Sequence, residues 1–162
     1  AINAFVDKKG FGLKKFATDE EKKKKEEKDK SMKMSERLNL YKDRQRNNLS
    51  ENAYGAIVRL RMDNSHPLGF GYDKEYLSLK LRNRRYAYLE SGWNVGTTQD
   101  STSIVSGFVG FKAKQNFRES LVFGVEEIGR GSVVYMVDNP LFRGFWYNGK
   151  LLFGNAVFLV GS

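Results

Sequence analysis

The sequence contains no cysteine and a single histidine, His66. The absence of cysteine excludes disulfides, thiolate zinc sites and cysteine nucleophiles within this chain. A single imidazole also excludes a zinc site built from several histidines of the chain, so we expect it to bind no metal and no cofactor. Neither absence decides in which compartment the protein works.

Long apolar runs are also missing. The longest strongly apolar stretch, residues 151–160, is interrupted by Gly154 and Asn155. A membrane-spanning helix needs about 20 mostly apolar residues, so we expect no membrane span. The 162 residues, 40% of them hydrophobic, suffice for one domain with a core. The chain begins at Ala1 without a methionine or a signal-like segment, and we expect it to be a mature or excised piece.

The net charge of +9 invites a nucleic-acid interpretation, but its distribution argues against one. Residues 1–52 contain 15 basic and 10 acidic residues, and residues 53–162 contain 13 and 9. No single basic face is evident, and the aromatic residues alternate mostly with apolar residues rather than with Lys and Arg. We therefore expect no nucleic-acid partner.

The first third of the chain is irregular in composition. The apolar run "AINAFV" is typical of a strand, and a charged low-complexity insertion follows at residues 18–36. We expect this insertion to be solvated and partly helical, because it has few large apolar residues to bury. Next, Leu38, Tyr41 and Gln45 share one stripe, which predicts a helix from an N-cap at Ser35 to about Asn48.

From Ala56 onward the pattern changes to strands. In "AIVRLRM" the residues Val58, Leu60 and Met62 alternate on one face, and "YLSLKL" similarly places its three leucines together, at positions 77, 79 and 81. We interpret "YAYLE" as a further short strand.

The remaining segments combine strands with helices. The stretch "SIVSGFVGFKAKQNF" starts as a strand and becomes helical near Gly110, and two apolar runs flanking "GRG" predict adjacent strands joined by a tight turn. Near the end, Leu152, Ala156 and Val160 recur at helical spacing, with Phe153 and Val157 beside them, which predicts a helix packed on the sheet. Together these elements predict an α/β fold with a mostly parallel sheet flanked by helices.

An ordered set of motifs extends over nearly the whole chain. It comprises "DKKGFGLKKF", "RLRMDNSHPLGFGY", "YLESGWNVG", "VSGFVGFKAK", "SLVFGVEEIGRGSVVYMVDNPLFRGFW" and "NGKLLFGNAVFLV". The set resembles the C-terminal region of secreted bacterial multidomain zinc carboxypeptidases. In those proteins a glutamine-amidotransferase-like domain with a flavodoxin-like fold follows the peptidase domain.

The resemblance implies that residues 1–162 are the C-terminal part of one amidotransferase-like domain. It places the zinc and its ligands in the upstream peptidase domain, so the parent protein would be a proteolytic metallocarboxypeptidase acting outside the cytoplasm. Because this chain has no cysteine nucleophile, the resemblance implies a noncatalytic accessory domain. Its partners would be the peptidase domain or the rest of the amidotransferase-like domain.

One segment suggests an alternative of a different class. Asp63, Ser65 and His66 in "DNSHPLGFGY" have the residue types of a hydrolytic set, which would make the chain an independent hydrolase. Neighbouring residues of an extended segment point in different directions and rarely assemble a triad by themselves. We therefore favour a structural histidine in a loop fixed by Pro67 and the glycines after it.

The segment "VDNPLFRGFW", residues 137–146, follows a predicted buried strand. Asp138 or Asn139 is expected to cap the turn that Pro140 begins, with Arg143 paired to Asp138 or Glu126 and Trp146 covering the core. The alternative is a ligand site, because loops at the carboxyl ends of strands bind ligands in open α/β sheets. Asp138, Asn139, Arg143 and Trp146 are its candidate residues, and we favour the structural corner.

Overall fold

A computed structural model describes residues 4–15 and 40–161 of the chain. The charged insertion and the Ser35 N-cap lie outside the described residues, as do the first three residues of "AINAFV". Residues 4–7 form turns rather than the predicted strand.

Within these ranges the chain forms six β-strands, three α-helices and short 3-10 turns. The strands are β1 (Ala53–Met62), β2 (Glu75–Lys80), β3 (Trp93–Thr98), β4 (Ile104–Val109), β5 (Ser120–Ile128) and β6 (Gly131–Met136). The helices are α1 (Arg44–Glu51), α2 (Phe111–Gln115) and α3 (Asn148–Phe158). The 3-10 turns are Tyr41–Asp43, Pro67–Gly69, Ser101–Ser103 and Phe142–Gly144.

The strands form one curled antiparallel sheet, a half-barrel, in the order β2-β1-β3-β5-β6, with β4 beside β1. Every strand pair in the described residues is antiparallel, so the predicted parallel, flavodoxin-like sheet is wrong. Parallel neighbours need crossover connections, usually helical, whereas here turns and short 3-10 segments join consecutive strands from β1 to β4. The connection from β5 to β6 is only two residues long.

The ten-residue strand β1 organises the sheet. Along one edge it pairs with β2, and its other edge is shared by β4 over its first half and by β3 at Arg61 and Met62. The inward face of β1 carries Val58, Leu60 and Met62, which are buried as the alternation predicts. These residues enter the main apolar core with residues of β3, β5, β6 and α3.

The β5–β6 hairpin confirms the prediction made from "GRG". Its register is uninterrupted from Phe123 opposite Met136 to Ile128 opposite Gly131. Gly129 opens the turn with φ +63°, a left-handed conformation that glycine adopts without strain. The predicted change from strand to helix near Gly110 is also confirmed, by β4 and α2.

Strand β2 alternates as predicted, but its buried face is the polar one. Its buried residues are Tyr76, Ser78 and Lys80, while Leu77 and Leu81 are exposed and Leu79 is half-buried. The three leucines therefore lie together on the outward face. With leucines facing outward and a lysine facing inward, the strand buries less apolar surface than the opposite orientation would. Lysine is rarely fully buried, so this strand is unusual.

Two further predictions are corrected. Helix α1 runs to Glu51, beyond the predicted end near Asn48, and follows the 3-10 turn Tyr41–Asp43. The segment "YAYLE" is irregular, joined to the N-terminal segment by a single bridge between Lys15 and Tyr86.

Helix α3 forms where the periodicity predicts it, but it packs mainly against the turn Pro67–Gly69, with Leu152 entering the core. Of the predicted apolar positions, Phe153 and Val157 are exposed and Val160 lies beyond the end of the helix.

Leu152 and Asn155 are buried, and Asn155 donates hydrogen bonds to the carbonyls of Leu68 (3.1 Å) and Phe70 (2.7 Å). The Tyr72 hydroxyl accepts from the Leu152 N–H and donates to the Asn148 carbonyl, so it bridges one turn of the helix. No helix within residues 4–15 and 40–161 is long and apolar enough to cross a membrane.

Candidate functional site

The curl of the sheet brings its two edges together through side chains. Asp138 follows β6 at one edge, and Ser78 and Lys80 belong to β2 at the other. The Ser78 hydroxyl donates to Asp138 Oδ2 at 3.0 Å, and Lys80 Nζ lies 3.7 Å from Asp138 Oδ1. Both charged side chains are buried, with exposed fractions of 1% for Lys80 and 7% for Asp138. The half-barrel is thus closed by a buried ion pair rather than by backbone pairing.

Two aromatic residues complete this group, which we call the Lys80 cluster: Tyr76, Ser78, Lys80, Asp138 and Trp146. Among the described residues, the buried Lys80 Nζ has no hydrogen-bond partner, and the buried Tyr76 Oη and Trp146 Nε1 have none apart from their contact with each other. Burial raises the pKa of Tyr76 above its ordinary value; Tyr72 and Asp138 add to the rise, and hydrogen bonding from the Trp146 indole opposes it. The cluster therefore holds several donors whose hydrogen-bonding capacity is not used.

A surface depression of about 520 Å³ lies against the cluster. Its walls are Glu75, Tyr76, Leu77, Trp146, Tyr147 and Asn148. Tyr76 and Trp146 belong to both the depression and the cluster, so a small molecule in the depression would lie next to the buried donors. The depression is open to solvent, and its walls are more apolar than polar.

The loop after β6 separates the four candidate residues that the sequence suggested. Asn139 Oδ1 accepts from the Leu141 N–H at 3.0 Å, so Asn139 rather than Asp138 caps the turn. The Arg143 guanidinium lies 5.2 Å from the centre of the Phe142 ring, and in the described residues it forms no ion pair with Asp138 or Glu126. That predicted ion pair is wrong. Only Asp138 and Trp146 of the four belong to the cluster.

The loop that contains His66 is held by local hydrogen bonds. Asp63 Oδ1 accepts from both the Ser65 N–H (3.1 Å) and the Ser65 hydroxyl (2.5 Å), while His66 Nδ1 accepts from the Leu68 N–H (3.0 Å). The His66 ring packs 5.3 Å from that of Trp93. Burial lowers the pKa of His66, and the Asp63 carboxylate opposes the shift. In this arrangement the serine hydroxyl is directed to the carboxylate and the histidine to the backbone, unlike the serine–histidine–carboxylate order of a hydrolytic triad.

A second buried carboxylate, Glu126 of β5, ties the N-terminal segment to the sheet. Its Oε2 accepts from the Gly12 N–H (2.8 Å) and from the Tyr135 hydroxyl (2.7 Å), and its Oε1 lies 3.4 Å from the Ser91 hydroxyl. Burial and the hydrogen bond to Glu126 raise the pKa of Tyr135. The described ranges contain no group of three histidine, aspartate or glutamate side chains placed to hold a metal ion.

Sequence reasoning missed the residues that β2 contributes to the cluster. A signal was present: in "YLSLKL" the polar residues Tyr76, Ser78 and Lys80 alternate as regularly as the leucines do. Deciding which set faces inward requires the partner of Lys80, and Asp138 is 58 positions further along the chain. Periodicity alone supplies no such information.

Exposed apolar side chains lie along α3 and on the loop and strand beside it. We call them the α3 patch and define it as Phe70, Leu77, Tyr147, Leu151 and Phe158, whose exposed fractions run from 40% to 78%. Leu77 and Tyr147 line the same depression, and Tyr147 and Leu151 are one helical turn apart. Phe70 is linked to this helix in two ways. Leu151 lies close to Gly71, the residue after Phe70. The Phe70 carbonyl accepts a hydrogen bond from Asn155, which is three residues before Phe158.

Comparison with known proteins finds no matching family model, no similar curated protein and no similar solved structure.

Proposed function

We propose that the chain is a noncatalytic accessory domain that docks on a zinc carboxypeptidase domain and stabilises or positions it. The observation that carries the proposal is the α3 patch. Contiguous exposed apolar surface of this kind is typical of protein–protein contacts, and interface cores are enriched in aromatic residues such as its Tyr and Phe. The carboxypeptidase as partner comes from the resemblance of the ordered sequence motifs.

The polar residues support a noncatalytic role. Hydrolysis by a nucleophile needs a base within hydrogen-bond reach of it. The Ser65 hydroxyl instead donates to Asp63. His66 Nδ1 accepts from the Leu68 backbone N–H, whereas in a hydrolytic triad this nitrogen donates to the carboxylate. The resemblance to secreted enzymes extends the proposal to a location outside the cytoplasm.

The test is to produce this chain and the carboxypeptidase domain of the same protein separately and to measure their association by titration calorimetry. Tyr147→Ser and Phe158→Ser remove exposed rings of the patch and should each weaken binding about 10-fold or more, because aromatic anchors dominate interface energetics. Phe111→Ser is the matched control, since Phe111 is 70% exposed on α2 and outside the patch. It should leave the affinity unchanged.

Absence of association between the wild-type domains would contradict the proposal. So would an equal loss for the patch variants and for Phe111→Ser, because that outcome assigns no role to the patch. Melting temperatures of all variants, measured in parallel, exclude unfolding as the cause of lost binding.

A further inference from the structure

The inward face of β2 has an unusual distribution of polarity. In the register with β1, Tyr76 lies opposite Leu60, Ser78 opposite Val58 and Lys80 opposite Ala56. A polar series therefore faces an apolar one, while the leucines of β2 face outward. Burying a hydroxyl or an amine without a hydrogen-bond partner costs free energy, and violations of this kind concentrate at functional sites.

The cluster contains buried donors that its own acceptors do not satisfy. A lysine Nζ carries three N–H donors, and the tyrosine hydroxyl and the indole each supply one. The described acceptor among them is Asp138, whose Oδ2 already accepts from Ser78 and whose Oδ1 lies at the long distance of 3.7 Å from Lys80. A group that satisfies the remaining donors must therefore accept several hydrogen bonds, and an anion is favoured beside Lys80.

The walls of the neighbouring depression indicate the chemistry of the part of the ligand that is not the anion. These walls include the rings of Tyr76, Trp146 and Tyr147 together with Leu77. The one acidic wall residue, Glu75, is paired with Arg59 at 3.3 Å, so its charge is partly offset. A molecule that fits these walls presents an apolar or aromatic group to them.

We infer that the Lys80 cluster and the adjoining depression bind a small carboxylate that carries an apolar or aromatic group. The carboxylate accepts from Lys80 Nζ, Tyr76 Oη and Trp146 Nε1, and the apolar part lies against Tyr147 and Leu77.

Binding at this site would require Trp146 to move. It lies in the irregular segment between the 3-10 turn Phe142–Gly144 and α3, not on a strand or helix. Its Nε1 is buried, so the indole must shift for a ligand to reach Lys80. The inference does not depend on the proposed docking function, which concerns the exposed rings of the α3 patch.

Fluorescence of Trp146 provides the measurement. Trp93 is the other tryptophan of the chain, and Trp93→Phe isolates the Trp146 signal. Phenylacetate should give a saturable change, whereas phenylacetamide, of nearly the same shape but uncharged, should give none. An equal response to both compounds, or no saturable response to phenylacetate, overturns the inference and leaves the cluster as a structural feature.

Two variants in the same background assign the binding to the cluster. Lys80→Met keeps the length of the side chain and removes its charge, and should weaken phenylacetate binding about 100-fold, since a buried charge-assisted contact is lost. Asp138→Asn removes the internal anion that competes for Lys80, and should tighten binding about 10-fold. Weaker binding by Asp138→Asn would contradict an anion site at Lys80.

A folding control accompanies them. The double variant Lys80→Met/Asp138→Asn contains neither charge and should fold without binding phenylacetate. If Asp138→Asn is unstable alone, phenylacetate should raise its melting temperature more than that of the Trp93→Phe parent, because a bound carboxylate replaces the missing counter-ion. Absence of that rescue would overturn the inference.

Discussion

At the scale of single residues, the buried contact between Lys80 and Asp138 has an energetic cost. Desolvating two charges costs several kcal/mol each, and their attraction offsets this cost only when the geometry is good and further hydrogen bonds are made. Here the separation is 3.7 Å and only the carboxylate has a hydrogen bond, from Ser78. We therefore infer that the pair costs stability relative to an apolar core and that removing one partner is worse than keeping both.

Asp138 and Asn139, adjacent residues in the loop after β6, allow the cost of removing one charge to be measured. Asp138→Ala leaves Lys80 buried without a counter-charge and should lower the free energy of unfolding by about 3–5 kcal/mol. Asn139→Ala removes one turn-capping hydrogen bond and should cost only about 1 kcal/mol. Urea denaturation of both variants provides the measurement. If Asp138 capped the turn instead, Asp138→Ala would lose less free energy of unfolding than Asn139→Ala.

At the scale of elements, regular patterns predicted local structure well. The β5–β6 hairpin and α3 were predicted because a tight glycine turn and a 3.6-residue period are properties of short segments. The buried face of β1 was predicted for the same reason, since Val58, Leu60 and Met62 alternate and are all apolar. Strand β2 shows where this reasoning stops: its period of two is correct, but the face that is buried depends on Asp138, a residue distant in sequence.

The orientation of β2 leads to a stability test. Leu77→Ser alters an exposed side chain and should change the free energy of unfolding by no more than about 0.5 kcal/mol. Leu60→Ala empties space in the core beside the same strand and should cost about 2–5 kcal/mol. If the serine variant were the more destabilised of the two in urea, the leucines of β2 would face inward and the described orientation would be wrong.

Helix α3 contains two glycines with different surroundings, which act as a matched pair. A methyl group added at Gly149 would overlap the Pro140 carbonyl, whereas one added at Gly154 would meet no atom within 4 Å. Gly154→Ala should raise stability by about 1 kcal/mol, because alanine favours the helix. Gly149→Ala should lower the melting temperature, since the loop before α3 must move away. Equal thermal shifts for the two variants would show that α3 does not pack against Pro140.

At the scale of the whole molecule, the sheet direction could not be obtained from the pattern of the strands. Alternation such as that in β1 is the same in parallel and antiparallel sheets, and the α/β prediction was based on helices between the strands and at the end of the chain. The described connections from β1 to β4 and from β5 to β6 contain no α-helix long enough for a crossover. The candidate site was predicted only in part. Asp138 and Trp146 follow a strand end that can be recognised in the sequence. Their partners Tyr76, Ser78 and Lys80 are brought to them by the curl of the sheet, which the sequence pattern does not indicate.

Buried tyrosines distributed over the molecule predict a loss of stability in alkali. Burial raises the pKa of the half-buried Tyr72 and of the buried Tyr76, Tyr86 and Tyr135 above the ordinary value of 10.0. Above that pH the unfolded chain loses these protons while the folded chain retains them, so unfolding becomes favoured as the pH rises. The stabilisation is fully present below pH 10.0 and is lost on titration toward the raised values.

Urea midpoints should be constant between about pH 8 and 9 and fall steeply above pH 10, with tyrosinate absorbance appearing on unfolding. A midpoint that did not change up to pH 11 would contradict the burial of these hydroxyls.

The hydrogen bond between Gly12 and Glu126 has a consequence for the order of folding. It joins residues 114 positions apart, whereas the β5–β6 turn joins Ile128 to Gly131. Closing the longer loop costs more chain entropy, and hairpins form within about 1–10 μs. The Tyr135 hydroxyl belongs to the hairpin and orients Glu126 as soon as β5 and β6 pair. We therefore expect the acceptor to be assembled before the N-terminal segment docks on it.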